Sequence, residues 1–189
     1  MHAECVLKKI CIHILIFSYI VLLSFHSHAA DAESEDERLF KAAFTYNFAK
    51  FTIWPENTPG QDGPLILCTI GKSKLVNDLN RLGGKFIKGR SVVIKPIKNY
   101  QTNEICHILY IAKSEINKVK KILKPIKNKP VLTVSDLSNF VKAGGIIQFY
   151  RKNRKTHLII NLDTARQSGL EISSRLLILA EVINTEDAS

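Results

Sequence analysis

Two kinds of apolar pattern alternate along the chain, and their alternation predicts the fold. Short apolar runs at residues 65–70, 91–95, 106–112 and 130–134, bounded by turn-forming residues, read as strands. Helical spacing recurs around them. Over 38–54, Phe40, Ala43, Phe44, Phe48 and Phe51 predict a helix with one aromatic face, with Ser34 or Asp36 as its N-cap and Pro55 as its stop. Residues 73–82 read as a short helix halted by Gly83-Gly84. Over 115–126, Ile116, Val119, Ile122, Leu123 and Ile126 predict an amphipathic helix. A short helix is expected at 137–142, another after Asp163, and a last one over 172–183. Residues 146–150 and 157–162 flank the polar turn Arg151-Lys152-Asn153-Arg154-Lys155, a hairpin. The expected fold class is α/β: a single three-layer domain, with a mostly parallel sheet, helices on both faces and a C-terminal antiparallel hairpin at its edge.

The first thirty residues follow a different logic. Lys8 and Lys9 precede an apolar stretch from Ile10 to Phe25 that runs into Ser27-His28-Ala29-Ala30. A basic start, a short apolar middle and a small-residue site form the pattern of a secretory signal peptide. His13, Ser18 and Ser24 interrupt the stretch, which falls short of the roughly 20 apolar residues that span a bilayer. Residues 1–29 are therefore expected to be removed after Ala29 or Ala30, leaving 30–189 as the exported domain.

Export changes how the charge reads. The chain carries 27 Lys and Arg against 17 Asp and Glu, a formal +10. Such a balance would suit nucleic acid, but an exported protein meets none in the cytoplasm. An acidic protein surface or anionic lipid headgroups fit better, and ordinary solvation of a charged face accounts for the same residues. Lys118, Lys121 and Lys124, within the lysine-rich stretch 113–129, are candidate docking charges. Cys5 and Cys11 leave with the signal, so Cys68 and Cys106 remain as an expected disulfide in an oxidising compartment.

Catalytic signals are weak. Gly71-Lys72-Ser73 follows a strand and opens a helix, but Ile66 stands where a phosphate-binding loop needs its first glycine. No G-x-S-x-G elbow occurs. His107 and His157 are the two histidines beyond the signal, without the ligand spacing of a metal site. The reading is a binding protein, not an enzyme, with no cofactor and no metal.

Two stretches carry a resemblance. One is Lys41-Ala42-Ala43-Phe44-Thr45-Tyr46-Asn47-Phe48-Ala49-Lys50-Phe51 with Trp54-Pro55. The other is Ile160-Asn161-Leu162-Asp163-Thr164-Ala165 with Gly169-Leu170-Glu171-Ile172-Ser173-Ser174-Arg175-Leu176-Leu177. Between them lie Leu67-Cys68, Gly89-Arg90, Cys106-His107, residues 130–134 and Gly144-Gly145-Ile146-Ile147. Together these segments resemble the YfiR family of small exported proteins. The resemblance implies a homodimeric periplasmic repressor of α/β fold that holds an inner-membrane diguanylate cyclase inactive and so lowers cyclic di-GMP. It also implies that an outer-membrane lipoprotein sequesters the repressor. Cys68 and Cys106 match one cysteine pair of the family, whereas a second pair, near the late strands, has no counterpart here. Tyr46 and Trp54, off the Phe40/Phe44/Phe48/Phe51 face, and Arg175 are candidate partner anchors. The alternative is a periplasmic module for a small ligand or an envelope transport complex, without a cyclase.

Overall fold

The computed structural model describes residues 33–101 and 103–184. The signal segment lies outside the described residues. Contacts divide the chain at Ser34, and everything below concerns the unit that begins at Glu35.

Helix α1 (Glu35–Asn47) leads through a 3-10 turn (Phe48–Lys50) into the two-residue strand β1 (Thr52–Ile53). Then come β2 (Leu65–Ile70), α2 (Lys74–Asn80), β3 (Phe86–Ile87), β4 (Arg90–Ile97) and β5 (Ile108–Ile111). After α3 (Val119–Leu123) follow β6 (Leu132–Ser135), β7 (Ile147–Lys152), β8 (Lys155–Asn161) and α4 (Leu162–Gln167). The chain closes with β9 (Glu171–Ile172), α5 (Ser174–Leu177) and β10 (Glu181–Ile183). Eight strands form one sheet in the order β10-β8-β7-β6-β5-β2-β4-β3, and β1 pairs with β9 apart from it. Strands β4, β2, β5, β6 and β7 are mutually parallel; the β7/β8 and β3/β4 pairs are antiparallel.

Alternation along the central strands sends side chains to two cores, one per face. Leu65, Leu67, Ile108, Tyr110, Leu132 and Val134 pack with α1 and α2. Cys68, Ile70, Leu109 and Ile111 pack under Ile122, Leu123 and Ile126 from the 119–126 segment. This is the three-layer α/β arrangement that the alternating pattern predicts.

Four local expectations are corrected, each for a physical reason. First, α1 ends at Asn47 and turns its other side inward. Lys41, Ala42, Thr45 and Tyr46 are buried, while Leu39, Phe40 and Ala43 are exposed. Lys41 tolerates burial because Glu37 lies at 3.2 Å and Asp136 at 3.9 Å, and the Thr45 hydroxyl donates to the Lys41 carbonyl. The phenylalanines instead form a ladder inward, Phe40 on Phe44 (4.2 Å between centroids), Phe44 on Phe48, Phe48 on Phe149 (5.8 Å).

Second, residues 113–126 are a 3-10 stretch, a five-residue α-helix and a second 3-10 turn rather than one helix. Glu115 leaves the helical region, Pro125 has no N–H to donate, and Ile116 is exposed. Third, 137–142 is a series of turns. Two of its N–H groups go to sheet side chains, Leu137 N to Ser135 Oγ and Val141 N to Gln148 Oε1, as does Ile146 N to Thr133 Oγ1 just beyond it. Fourth, the last helix is a single turn, because residues 181–183 pair with β8 as an edge strand. The hairpin therefore lies inside the sheet rather than at its edge. Its two-residue loop, Asn153-Arg154, has both φ values positive, a turn that matches the strand twist.

Candidate functional site

In parallel α/β sheets, ligands usually sit outside the strand C-termini where the strand order reverses. Here that point lies between β2 and β5, and it is closed. Gly71 (φ +86°) ends β2 directly against the next crossover; a Cβ there would stand 2.5 Å from Ser114 Oγ. Ser114 Oγ also accepts from Lys72 N at 3.0 Å. Beside it, Asp136 after β6 accepts from Tyr110 Oη (3.0 Å) and lies 3.4 Å from Lys113 and 3.9 Å from buried Lys41. Glu37 joins the same group through Lys41, Arg151 and the Thr156 hydroxyl. Burial opposes the charge on Glu37, but these partners hold its pKa below the usual carboxylate value. The network ties α1 to the sheet and fills the crevice.

The opposite end gathers several of the segments that carry the resemblance. Arg90 opens β4 after a tight Lys88-Gly89 turn with both φ positive. Its guanidinium clamps the 60–64 loop: Nε donates to Gly63 O at 2.8 Å, and one terminal nitrogen donates to Gly60 O (2.8 Å) and Pro64 O (3.2 Å). The same nitrogen lies 2.9 Å from His107 Nε2. His107 is fully buried, and its Nδ1 accepts from Ile66 N at 3.1 Å. Nδ1 is thus occupied as an acceptor, and a backbone hydrogen bond to Gly60, whose carbonyl Arg90 also holds, is the one contact that favours the charged ring. Burial first, and the Arg90 charge second, push the His107 pKa down to about 4. The ring is a neutral strut.

Trp54 packs edge-on against His107, 6.0 Å between centroids. One residue before His107, Cys106 is bonded to Cys68 with a Cα separation of 5.7 Å. The disulfide expected from the sequence is present, buried under the outer layer on the second face. Trp54-Pro55, Gly89-Arg90 and Cys106-His107 thus converge on the strand-start end. Spacing along the chain carries no sign of this, because the three segments are joined only by the parallel crossovers.

The other candidate residues scatter. Tyr46 and Trp54 are both buried, 7% exposed, so the folded chain does not present them as anchors. Burial also raises the Tyr46 pKa. Arg175 is exposed on α5. Lys118, Lys121 and Lys124 are exposed; Lys118 pairs with Glu115 at 3.1 Å, and the other two make no ion pair among the described residues. Lys124 borders a groove of about 460 Å³ that Lys120, Lys127 and Lys142 also line, over a floor that includes Ile126 and Val131. Sequence reading missed that Lys142 joins this basic rim from another crossover. Among the described residues no group of three metal-ligating side chains occurs, and no helix is long and apolar enough to cross a membrane.

Comparison with known families decides the assignment. A family model described as YfiR/HmsC-like matches residues 39–181. The chain belongs to the YfiR/HmsC-like family. No curated protein matches it by sequence. For a YfiR/HmsC-like protein the match runs from the second turn of α1 to the start of β10 and takes in both ends of the sheet described above.

Proposed function

We propose that this YfiR/HmsC-like protein is an exported periplasmic regulator, without catalytic activity of its own, that binds the periplasmic region of an inner-membrane diguanylate cyclase and lowers cyclic di-GMP. The observation that carries the reading is the family match over most of the folded unit. The fold is consistent with export: α1 begins a few residues beyond the expected cleavage site, and the cysteine pair is bonded. Repression requires tighter binding to the inactive cyclase than to the active one, since equal affinity shifts no population. Two surfaces are suited to that contact. One is the outer side of α1 with Leu39 and Phe40 exposed; the other is the groove bordered by Lys120, Lys124, Lys127 and Lys142, with Lys118, Lys121 and, on α5, Arg175 as further exposed cations outside its lining. A homodimer and an outer-membrane lipoprotein that withdraws the regulator complete the proposed system.

The direct test adds the purified protein to right-side-out or permeabilised membrane vesicles carrying the host's cyclase. Synthesis of cyclic di-GMP should fall with saturation as the regulator is added. Synthesis that stays constant, with the regulator demonstrably folded, contradicts the proposal.

A further inference from the structure

The groove of about 460 Å³ lies between the 119–128 crossover and α4, at the starts of β6 and β7. Its four lysines, Lys120, Lys124, Lys127 and Lys142, are all exposed. None of them makes an ion pair among the described residues, and no Asp or Glu lines the groove. Two carboxylates close in sequence to these elements, Glu115 and Asp163, are already paired with Lys118 and Arg166. Four like charges around one recess repel one another and gain from a partner of opposite sign. Their spacing narrows what that partner is. Lys120 stands on α3, Lys124 opens the 3-10 turn that follows, and Lys127 comes three residues later. A rise of about 1.5 Å per residue in the helix and about 2 Å in the 3-10 turn puts successive members about 6 Å apart along one face. In an extended peptide, every second side chain points the same way at a repeat of about 6.6 Å. The row therefore spans about 12 Å, more than a single phosphate or short carboxylate covers.

We infer that this groove binds an extended acidic segment of a partner protein, with Asp or Glu at every second position facing the row Lys120, Lys124 and Lys127, and Lys142 meeting it from the neighbouring crossover. Leu123, Ile126, Val131 and Ile146 close the bottom but are nearly covered. Recognition therefore comes from the charges, and the residues between the carboxylates are small and uncharged rather than large apolar anchors. A recess of this kind admits a peptide chain more readily than the flat surface of a bilayer. The inference deepens the regulatory reading and rests on it for the identity of the protein that carries the segment, the diguanylate cyclase.

The test uses two fluorescein-labelled heptapeptides of equal composition and charge, read by anisotropy as purified protein is added up to about 1 mM. In one, Glu alternates with Thr and Val (Glu-Thr-Glu-Val-Glu-Thr-Glu); in the other the four Glu are contiguous. The alternating peptide should bind at least about threefold more tightly, and less so as salt is raised. Lys124→Gln should weaken it about twofold to fivefold, and the joint change of Lys120, Lys124 and Lys127 to Gln about tenfold or more. Lys98→Gln, an exposed lysine beyond β4 and outside the groove, should leave it unchanged. Equal affinity for the two peptides, or an equal loss in Lys98→Gln, reduces the effect to diffuse charge and overturns the assignment. So does full binding by the joint variant. Capture on anionic phosphatidylglycerol vesicles that the joint variant loses, with no preference between the peptides, assigns the lysines to a membrane surface instead. In the cyclase assay above, a joint variant that represses as well as the unsubstituted protein removes the groove from the contact and leaves the regulatory reading standing. Peptide discrimination without any repression does the reverse.

Discussion

The two ends of the sheet solve the same problem in opposite ways. Where the strands finish, buried charges face each other: Lys41 lies between Glu37 and Asp136, and Asp136 also takes Tyr110 and Lys113. Gly71 lets the β2 crossover press against Ser114, and the usual ligand crevice is used up in holding the fold together. Where the strands begin, one guanidinium holds the 60–64 loop and meets a neutral imidazole, and a disulfide lies beside them. The first end is satisfied and closed. The second is braced by one cation, one neutral ring and a covalent bridge rather than by paired charges.

Breaking the brace should have the largest effect. The double substitution Cys68→Ser and Cys106→Ser opens a loop of 38 residues, and the chain-entropy relation gives about 4 kcal/mol of lost stability. Urea midpoints under oxidising conditions measure it. An unchanged midpoint would show that the bridge does not constrain the unfolded chain.

Acid should act on the same end through His107. Its folded pKa of about 4 lies below the ordinary 6.5, so the unfolded chain binds the extra proton first as pH falls. The contribution is fully present above pH 6.5 and is lost between about 6.5 and 4, on the order of 3 kcal/mol. Stability measured across that window should decline with acidification, and the decline should flatten in His107→Gln. A flat profile in the unsubstituted protein would remove the imidazole from the brace.

The closed end is probed by Gly71→Ala. A new Cβ meets Ser114 and Glu115 at 2.5 and 2.8 Å, at a φ that disfavours any side chain, for a loss of about 2 kcal/mol. Full stability in this variant would mean the crevice is looser than its packing implies. Smallest in stability terms is the joint change of Lys118, Lys121 and Lys124 to Glu. Exposed charges of this kind shift folding by less than about 1 kcal/mol. The same change should nonetheless weaken binding to an acidic cyclase surface and flatten its salt dependence. Unchanged affinity and salt dependence would take the lysines out of the interface.

Much of this architecture is legible in the sequence because central strands and their alternation follow from local pattern. Residues 65–70 read as a strand and are one, and residues 108–111 lie within the run expected at 106–112. The misreadings share one cause, competition from distant partners. The aromatic face of α1 is only partly its core side: Phe44 and Phe48 pack inward while Phe40 is exposed, and Lys41 and Thr45 are buried as well because Glu37, Asp136 and a backbone carbonyl accept them. Residues 181–183 have apolar spacing that suits a helix, yet the open edge of β8 claims them. Tyr46 and Trp54, named as candidate partner anchors, are both buried by the packing of α1 and of the 52–53 strand. The convergence of Trp54, Arg90 and His107 was invisible for the same reason: the crossovers between parallel strands, not the spacing of residues, bring them together.

The central claim is that the protein restrains a diguanylate cyclase from the periplasmic side. The most direct measurement is intracellular cyclic di-GMP in the native host with and without the gene, with complementation by exported and signal-less copies. A rise on deletion, reversed by the exported copy and not by the signal-less one, is the predicted result. Cyclic di-GMP that stays level, under conditions where the protein is shown to be present and folded, would contradict the account.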